Sequence, residues 1–200
     1  RNYLSRSNDN RLIWSESVPI VGKLGYYVIN NDRAIRLASG RILVPVADHG
    51  VTFRRHSTSF GLYSDDDGRT WTRGSSDVDV DGEAGAQEPG VVELKDGRVL
   101  MNIRTSLGQA YKSYSEDEGS TWLPPEPMGI QSPRSPQTIR RIPSTGDLLM
   151  VWNNAPGPVR APLSLAVSPD EGITWERFQD IDGHEGHTYA YPSLFCQADE

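Results

Sequence analysis

Polar side chains that could bind or transform a polar ligand flank short apolar runs at two recurring places in this 200-residue sequence. Arg33 and Glu88 stand just ahead of such runs, and Asp48 and Arg104 stand just after the runs that follow. Carboxylates can transfer protons, and guanidinium groups can form charge-assisted pairs with anions. If these positions meet in the fold, their side chains fit a polar binding or catalytic site.

The complete set of such positions is larger and includes amides and aromatic residues. Ahead of the runs come Asn30, Asn31, Asp32, Arg33, Gln87, Glu88, Arg134, Ser135, Gln137, Tyr189 and Tyr191. After the following runs come Asp48, His49, Arg104, Thr105, Asn153 and Asn154. The first residue of each pair in the second group follows a turn glycine by seven or eight residues, so the positions are equivalent within a repeat.

The repeat is set by an octapeptide of pattern S-x-D-x-G-x-T-W. It begins at Ser64, Ser115 and Ser168, and these starts are 51 and 53 residues apart. Each copy is preceded by a tight turn at Gly40, Gly97 or Gly146 that lies between two apolar runs, which predicts a β-hairpin. Four antiparallel strands in about 50 residues are typical of a propeller blade.

The octapeptide itself is predicted to be structural. Its Asp accepts hydrogen bonds within the turn, its Gly permits the reversal, and its Trp packs between neighbouring sheets. The hairpin and the octapeptide turn fall at the same end of a four-stranded blade. The candidate residues therefore lie at the opposite end, around the axis of an all-β propeller.

The octapeptide resembles the Asp-box, or BNR repeat, of sialidases, and the resemblance covers residues 12–195. It implies a six-bladed propeller of four-stranded antiparallel sheets. This chain supplies three blades, at approximately residues 30–75, 86–126 and 134–179, with partial units at both ends of a single domain 1–200. Open blade edges expose unpaired strands, so we expect the remaining blades to come from a longer chain or a second chain.

The resemblance also implies roles for the residues of the first blade. The segment from Asp32 to Leu37 is similar to the Phe-Arg-Ile-Pro segment of sialidases, with Arg33 in the Arg position and Ala34-Ile35 in place of Ile-Pro. Arg33 would then bind the carboxylate of a sialic acid. Asp48 is the candidate acid/base residue, and His49 is the alternative.

Later blades supply the other candidates. Glu88 would activate a hydroxyl, and Tyr191, in Tyr-Ala-Tyr-Pro-Ser, would be the nucleophile. A tyrosine suits this role because a neutral nucleophile is not repelled by the substrate carboxylate, and sialidases are a known exception to the two-carboxylate rule. Arg104, His49 and Asn153 complete the predicted substrate-binding set.

Two functional classes stay open. The resemblance implies a retaining glycoside hydrolase that removes a terminal sialic acid or related acidic sugar. The alternative is a propeller that binds glycans or proteins without catalysis, since Asp-boxes stabilise turns and not a reaction. In the second case Arg33, Glu88 and Arg104 would form structural salt bridges, Asp48 would cap a loop, and Tyr191 would be an ordinary strand aromatic.

The composition of the chain restricts the classes of partner that it is expected to bind. A net charge of −7 and a pI near 5.1 argue against nucleic acid, and no apolar run reaches the ~20 residues needed for a spanning helix. No motif predicts a cofactor, and His184 and His187 lack the third ligand of a zinc site. Carbohydrate is the expected partner. Location is left open, with an extracellular or periplasmic one favoured.

Overall fold

A computed structural model describes residues 2–7 and 12–196, and every regular element in this part of the chain is a β-strand. The strands are β1 (Tyr3–Leu4), β2 (Val18–Pro19), β3 (Tyr27–Val28), β4 (Ile35–Arg36), β5 (Ile42–Asp48), β6 (Thr58–Ser64), β7 (Thr72–Arg73), β8 (Gln87–Glu93), β9 (Val99–Arg104), β10 (Gln109–Ser115), β11 (Glu126–Gln131), β12 (Thr138–Arg141), β13 (Leu148–Asn153), β14 (Leu163–Ser168) and β15 (Glu176–Asp182). No helix in the described residues could cross a membrane.

Three antiparallel sheets follow one another along the chain, which confirms the predicted all-β architecture of four-stranded blades. The second sheet has the order β8-β9-β10-β11, and the third has the order β12-β13-β14-β15. The first sheet has the order β3-β5-β6-β7, with β4 also pairing with β5. Strands β1 and β2 form a separate pair.

Apolar side chains fill the spaces between neighbouring sheets. One buried cluster joins the first sheet to the second through Leu43, Val91 and Met101. Another joins the second to the third through Leu100 and Met150. Burying each such side chain contributes about 1.5–3 kcal/mol, so the sheets are held face to face as the blades of a propeller are.

The Asp-box turns have the predicted internal bonding. In the first copy, Asp66 Oδ1 accepts hydrogen bonds from the Thr70 amide (2.8 Å) and the Ser64 hydroxyl (2.8 Å), and Oδ2 accepts from the Thr70 hydroxyl (2.7 Å). The Thr70 amide and hydroxyl together lower the pKa of Asp66 to about 2. The Asp of each other copy makes the same three bonds.

The innermost strands of the first two sheets are irregular at the candidate site residues. In the first sheet, residues 29–34 separate β3 from β4, although both strands pair with β5. In the second, the register of β8 against β9 shifts between Gln87 and Gly90. Asp32 and Glu88, which lie in these interruptions, have positive φ values of 50° and 43°. Such bulges re-aim side chains, and here they occur where the site residues lie.

Candidate functional site

The Asp-box turns and the hairpins share one end of the blades, as predicted. Arg41, next to the first hairpin turn, donates from Nε to Asp65 Oδ1 of the first Asp-box at 2.6 Å. It also donates to the Ser120 hydroxyl in the second Asp-box at 2.8 Å. The candidate residues at the starts of β8 and the ends of β5, β9 and β13 therefore lie at the other end.

At that other end the structure brings together Glu88, Arg104 and Tyr191. Arg104 donates from a terminal nitrogen to Glu88 Oε2, and the Tyr191 hydroxyl donates to Glu88 Oε1 at 3.0 Å. The side chains of Glu88 and Arg104 are only 13% and 11% exposed. One carboxylate thus holds a cation on one oxygen and a phenol on the other, a pairing that can take a proton from the phenol and make it a nucleophile.

The register between β8 and β9 explains why Glu88 and Arg104 lie together. Gln87 pairs with Arg104 across β8 and β9, and the bulge that follows turns Glu88 toward the same place. Tyr191 comes from the C-terminal segment, beyond the third sheet. That segment is fixed by a hydrogen bond from the Thr138 hydroxyl to the Pro192 carbonyl.

Arg33 is buried near this cluster. It is 1% exposed, and none of its three side-chain nitrogens has a hydrogen-bond partner among the residues that the structure describes. Burial lowers the pKa of Arg33 to about 10, although the charges of Asp32 and Glu88 oppose the shift.

Two further arginines on this end are linked by hydrogen bonds to Gln87, the residue before Glu88. Arg134 donates from Nε to the Gln87 side-chain carbonyl at 3.2 Å, and Arg160 donates to the Arg134 backbone carbonyl at 2.9 Å. The Tyr189 amide in turn donates to the Arg160 carbonyl at 2.8 Å. The repeat pattern does not predict Arg160, because the pattern covers only residues before the first and after the second strand of each blade. Its position in the loop before β14 was the available signal.

Asp48 and His49 make their hydrogen bonds elsewhere. Asp48 Oδ1 accepts from the Gly50 amide at 2.7 Å, which is the loop-capping alternative, and its side chain borders a cavity of about 500 Å³ with Tyr27 and Arg73. His49 Nδ1 bonds to the Arg54 carbonyl at 2.7 Å, and its ring stacks on Phe53. Neither has a hydrogen bond or ion pair to the Glu88 cluster in the described part of the chain.

Asn153 is buried in a structural network. Its Oδ1 accepts from the Ser135 hydroxyl at 2.7 Å, and its Nδ2 donates to the Pro162 carbonyl at 3.3 Å. Asn153 is 1% exposed. Its hydrogen bonds hold together the loops beside the site.

All 200 residues match the model of the BNR repeat-like domain. The chain belongs to this family. A sialidase of Micromonospora viridifaciens is 34% identical over 129 residues, which cover 57% of this chain and 18% of the relative. Human sialidase-4 is 34% identical over 110 residues, covering 50% of this chain and 22% of the relative. The chain thus spans about a fifth of the length of these relatives.

Solved structures of other proteins have a similar fold. The Hadza microbial sialidase Hz136 superposes with a TM-score of 0.76 at 20% identity, over 91% of this chain and 37% of its own. The NanB sialidase from Streptococcus pneumoniae superposes with a TM-score of 0.73 at 23% identity, over 94% and 30%. A protein of Dyadobacter fermentans described as of unknown function has a TM-score of 0.70 at 26% identity, over 93% and 53%. This BNR-repeat chain is therefore sialidase-like in fold.

Proposed function

We propose that the protein carrying these residues is a retaining glycoside hydrolase that removes a terminal sialic acid or a related acidic sugar. The observation that supports this most directly is the hydrogen bond from the Tyr191 hydroxyl to Glu88, whose other oxygen is held by Arg104. A phenol bonded to a carboxylate is the nucleophile and base that this chemistry uses. The relatives named sialidase add independent support.

In the first step the Tyr191 oxygen attacks the anomeric carbon while the bond to the departing oxygen breaks. The phenol proton passes to Glu88, and the departing oxygen takes a proton from a separate acid. Asp48 is the predicted acid, and this role stays a prediction. In the second step water attacks the anomeric carbon and gives a proton back to the separate acid, which the first step left deprotonated. The tyrosyl bond breaks, and Glu88 returns its proton to Tyr191.

The substrate carboxylate needs cationic partners on this face. Arg33, the predicted ligand of this carboxylate, is 1% exposed, and its three side-chain nitrogens have no partner among the described residues. The Nε of Arg104 is likewise buried and unpartnered there. Guanidinium groups bind carboxylates through paired, charge-assisted hydrogen bonds. Local arginines are required because a chain of charge −7 does not attract an anionic sugar over long distances.

Removal of the Tyr191 hydroxyl tests whether this residue is the nucleophile. Tyr191→Phe should abolish release of a fluorescent aglycone from a sialoside by the natural protein. Glu88→Gln should lower kcat/KM by about 10²–10⁴, the range for loss of a general base. Tyr189→Phe is the matched control, because Tyr189 donates to Asp182 and not to Glu88, and its turnover should stay near the wild-type rate. Equal turnover by Tyr191→Phe and Tyr189→Phe would contradict the assignment.

A glycan-binding propeller without catalysis is the second candidate. The position of Asp48 favours it, since the predicted acid caps its own loop. Saturable sialoside binding by a folded natural protein, without any turnover, would select this function over hydrolysis.

A further inference from the structure

The segment that carries Tyr191 is not part of any sheet in the described chain. The described residues after β15, 183–196, form neither strand nor helix. Tyr191 itself has a positive φ of 57°, and its hydroxyl donates to Glu88 at 3.0 Å. A reacting group must be held within about 0.5 Å of its productive position. Bonds from the rest of the fold must therefore do for this segment what strand pairing does elsewhere.

Asp32 supplies two such bonds just beyond Tyr191 in the chain. Its Oδ2 accepts from the Ser193 hydroxyl at 2.9 Å and from the Leu194 amide at 3.2 Å. These two donors follow Tyr191 by two and three residues. One carboxylate of the first blade thus binds the segment next to the candidate nucleophile.

Asp32 is itself fixed in position. It lies between β3 and β4, where its φ of 50° is a left-handed value that Asp and Asn adopt more readily than most residues. A terminal nitrogen of Arg140, in β12, donates to the Asp32 backbone carbonyl and lies 3.5 Å from Oδ2. Asp32 therefore joins the first sheet, the third sheet and the segment that carries Tyr191.

The other backbone contacts of this segment come from the third blade. The Tyr189 amide donates to the Arg160 carbonyl at 2.8 Å, and the Thr138 hydroxyl donates to the Pro192 carbonyl at 2.6 Å. Contacts to one blade leave a segment free to pivot about that blade. The bonds from Asp32 add the first blade, and they limit this pivoting.

We propose that Asp32 is a positioning residue, which holds Ser193 and Leu194 so that the Tyr191 hydroxyl stays within hydrogen-bonding distance of Glu88. The inference rests on the proposed role of Tyr191 as the nucleophile. Asp32 acts through the segment and not on the sugar. Its effect belongs to the first step, the attack on the anomeric carbon, because a misplacement of about 1 Å can lower a rate by about 10²-fold.

Two substitutions of Asp32 separate its hydrogen bonds from its charge. Asp32→Gly and Asp32→Asn both tolerate a positive φ, and both remove the charge that favours protonated Arg33. Only the Asn side chain keeps an oxygen that accepts from Ser193 and Leu194.

The natural protein is assayed with an alkyl sialoside, so that breaking the glycosidic bond limits kcat. Asp32→Gly should lower kcat by about 10²-fold, and Asp32→Asn should recover most of that loss. KM should change by the same factor in both variants, since any effect of the lost charge on substrate binding is common to them.

Serine substitutions supply a matched pair. Ser193→Ala should lower kcat less than Asp32→Gly does, because the Leu194 amide still donates to Asp32. It should have no further effect in Asp32→Gly, where its partner is already absent. Ser164→Ala is the control, because this hydroxyl also donates to an aspartate, Asp180, at 2.7 Å, but within the third sheet. Its kcat should stay near the wild-type value.

Hydrogen exchange of the Leu194 amide tests the contact without any turnover. Loss of the acceptor should speed exchange by about tenfold in Asp32→Gly, the equivalent of one hydrogen bond, and by less in Asp32→Asn. Unchanged exchange would overturn the proposal even if the sialoside is hydrolysed. A wild type that hydrolyses no sialoside would instead overturn the proposed function, and faster exchange would still establish the anchoring of the segment by Asp32.

Three kinetic results would also overturn the positioning role. One is an equal loss of kcat in Asp32→Gly and Asp32→Asn, which would assign the effect to charge next to Arg33. Another is a loss of kcat/KM that comes from KM alone. The third is a loss of kcat in Ser164→Ala as large as that in Ser193→Ala, which would assign the effect to general stability.

Discussion

The two ends of the blades differ in how their polar side chains are hydrogen-bonded, although the same strands run between them. At the Asp-box end, three copies of one octapeptide make the same hydrogen bonds, and each Asp is satisfied within its own turn. At the other end, the bulged residue Glu88 has a positive φ of 43° and Arg33 is buried without a described partner. Positive φ values at non-glycine residues occur at both ends, since Asp67, Glu118 and Glu171 of the Asp-boxes have them too. What separates the ends is bonding: repetition goes with satisfied hydrogen bonds, and unmet bonding goes with the candidate site.

The largest stability effect is expected where an Asp-box contacts the next sheet. A Cβ at Gly119 would lie 2.5 Å from Leu43 Cδ1, and the backbone there has φ of +86°. Gly119→Ala should lower the free energy of unfolding by about 2–5 kcal/mol, from backbone strain and overpacking together. Urea unfolding of the wild type and of Gly119→Ala measures this difference in the free energy of unfolding.

Gly97→Ala is the matched control, since its φ is +87° but its Cβ meets open space. Gly97→Ala should lower the free energy of unfolding by the backbone strain alone, about 1–2 kcal/mol. Equal costs for the two variants would show that the Asp-box end is not tightly packed against its neighbour.

A smaller, pH-dependent effect is expected at Glu171, which joins two blades at the Asp-box end. Its carboxylate accepts from Arg141 at 2.7 Å and from the Lys95 amide at 2.8 Å, and the Arg141 hydrogen bond is the main reason that the pKa of Glu171 falls to about 2. A lowered pKa stabilises the fold above the unfolded value near 4.5, and this contribution is lost as pH falls toward 2.

Glu171→Gln should therefore be less stable than wild type at pH 7, with the difference shrinking below pH 4.5. Thermal melts at matched ionic strength measure it. A difference that stays constant between pH 7 and pH 3 would contradict the assigned cause.

The sequence predicted the Asp-box end well because its bonds are local. Ser64, Asp66 and Thr70 are close neighbours in the chain, so spacing alone specifies the turn. The sequence predicts both Glu88 and Arg104 as site residues, and the register of two adjacent strands brings them together.

The opposite end was harder to predict because its contacts are distant in sequence. The bond between Asp32 and Ser193 spans 161 residues, and no local pattern encodes it. Arg160 lies in the irregular loop between β13 and β14, outside the repeated motifs. Asp48 is the last residue of β5 and not the first residue after it, and sequence position does not determine which way its side chain turns.

The central claim is that Tyr191 forms the bond to the sugar. A sialosyl fluoride with a second fluorine beside the anomeric carbon tests it directly, because that fluorine slows both steps while the fluoride leaving group speeds the first. The glycosyl protein then accumulates, and mass spectrometry of the digested protein should find the added sugar on the peptide that contains Tyr191. Turnover of the sialoside with an adduct on another residue, or with none, would contradict the account.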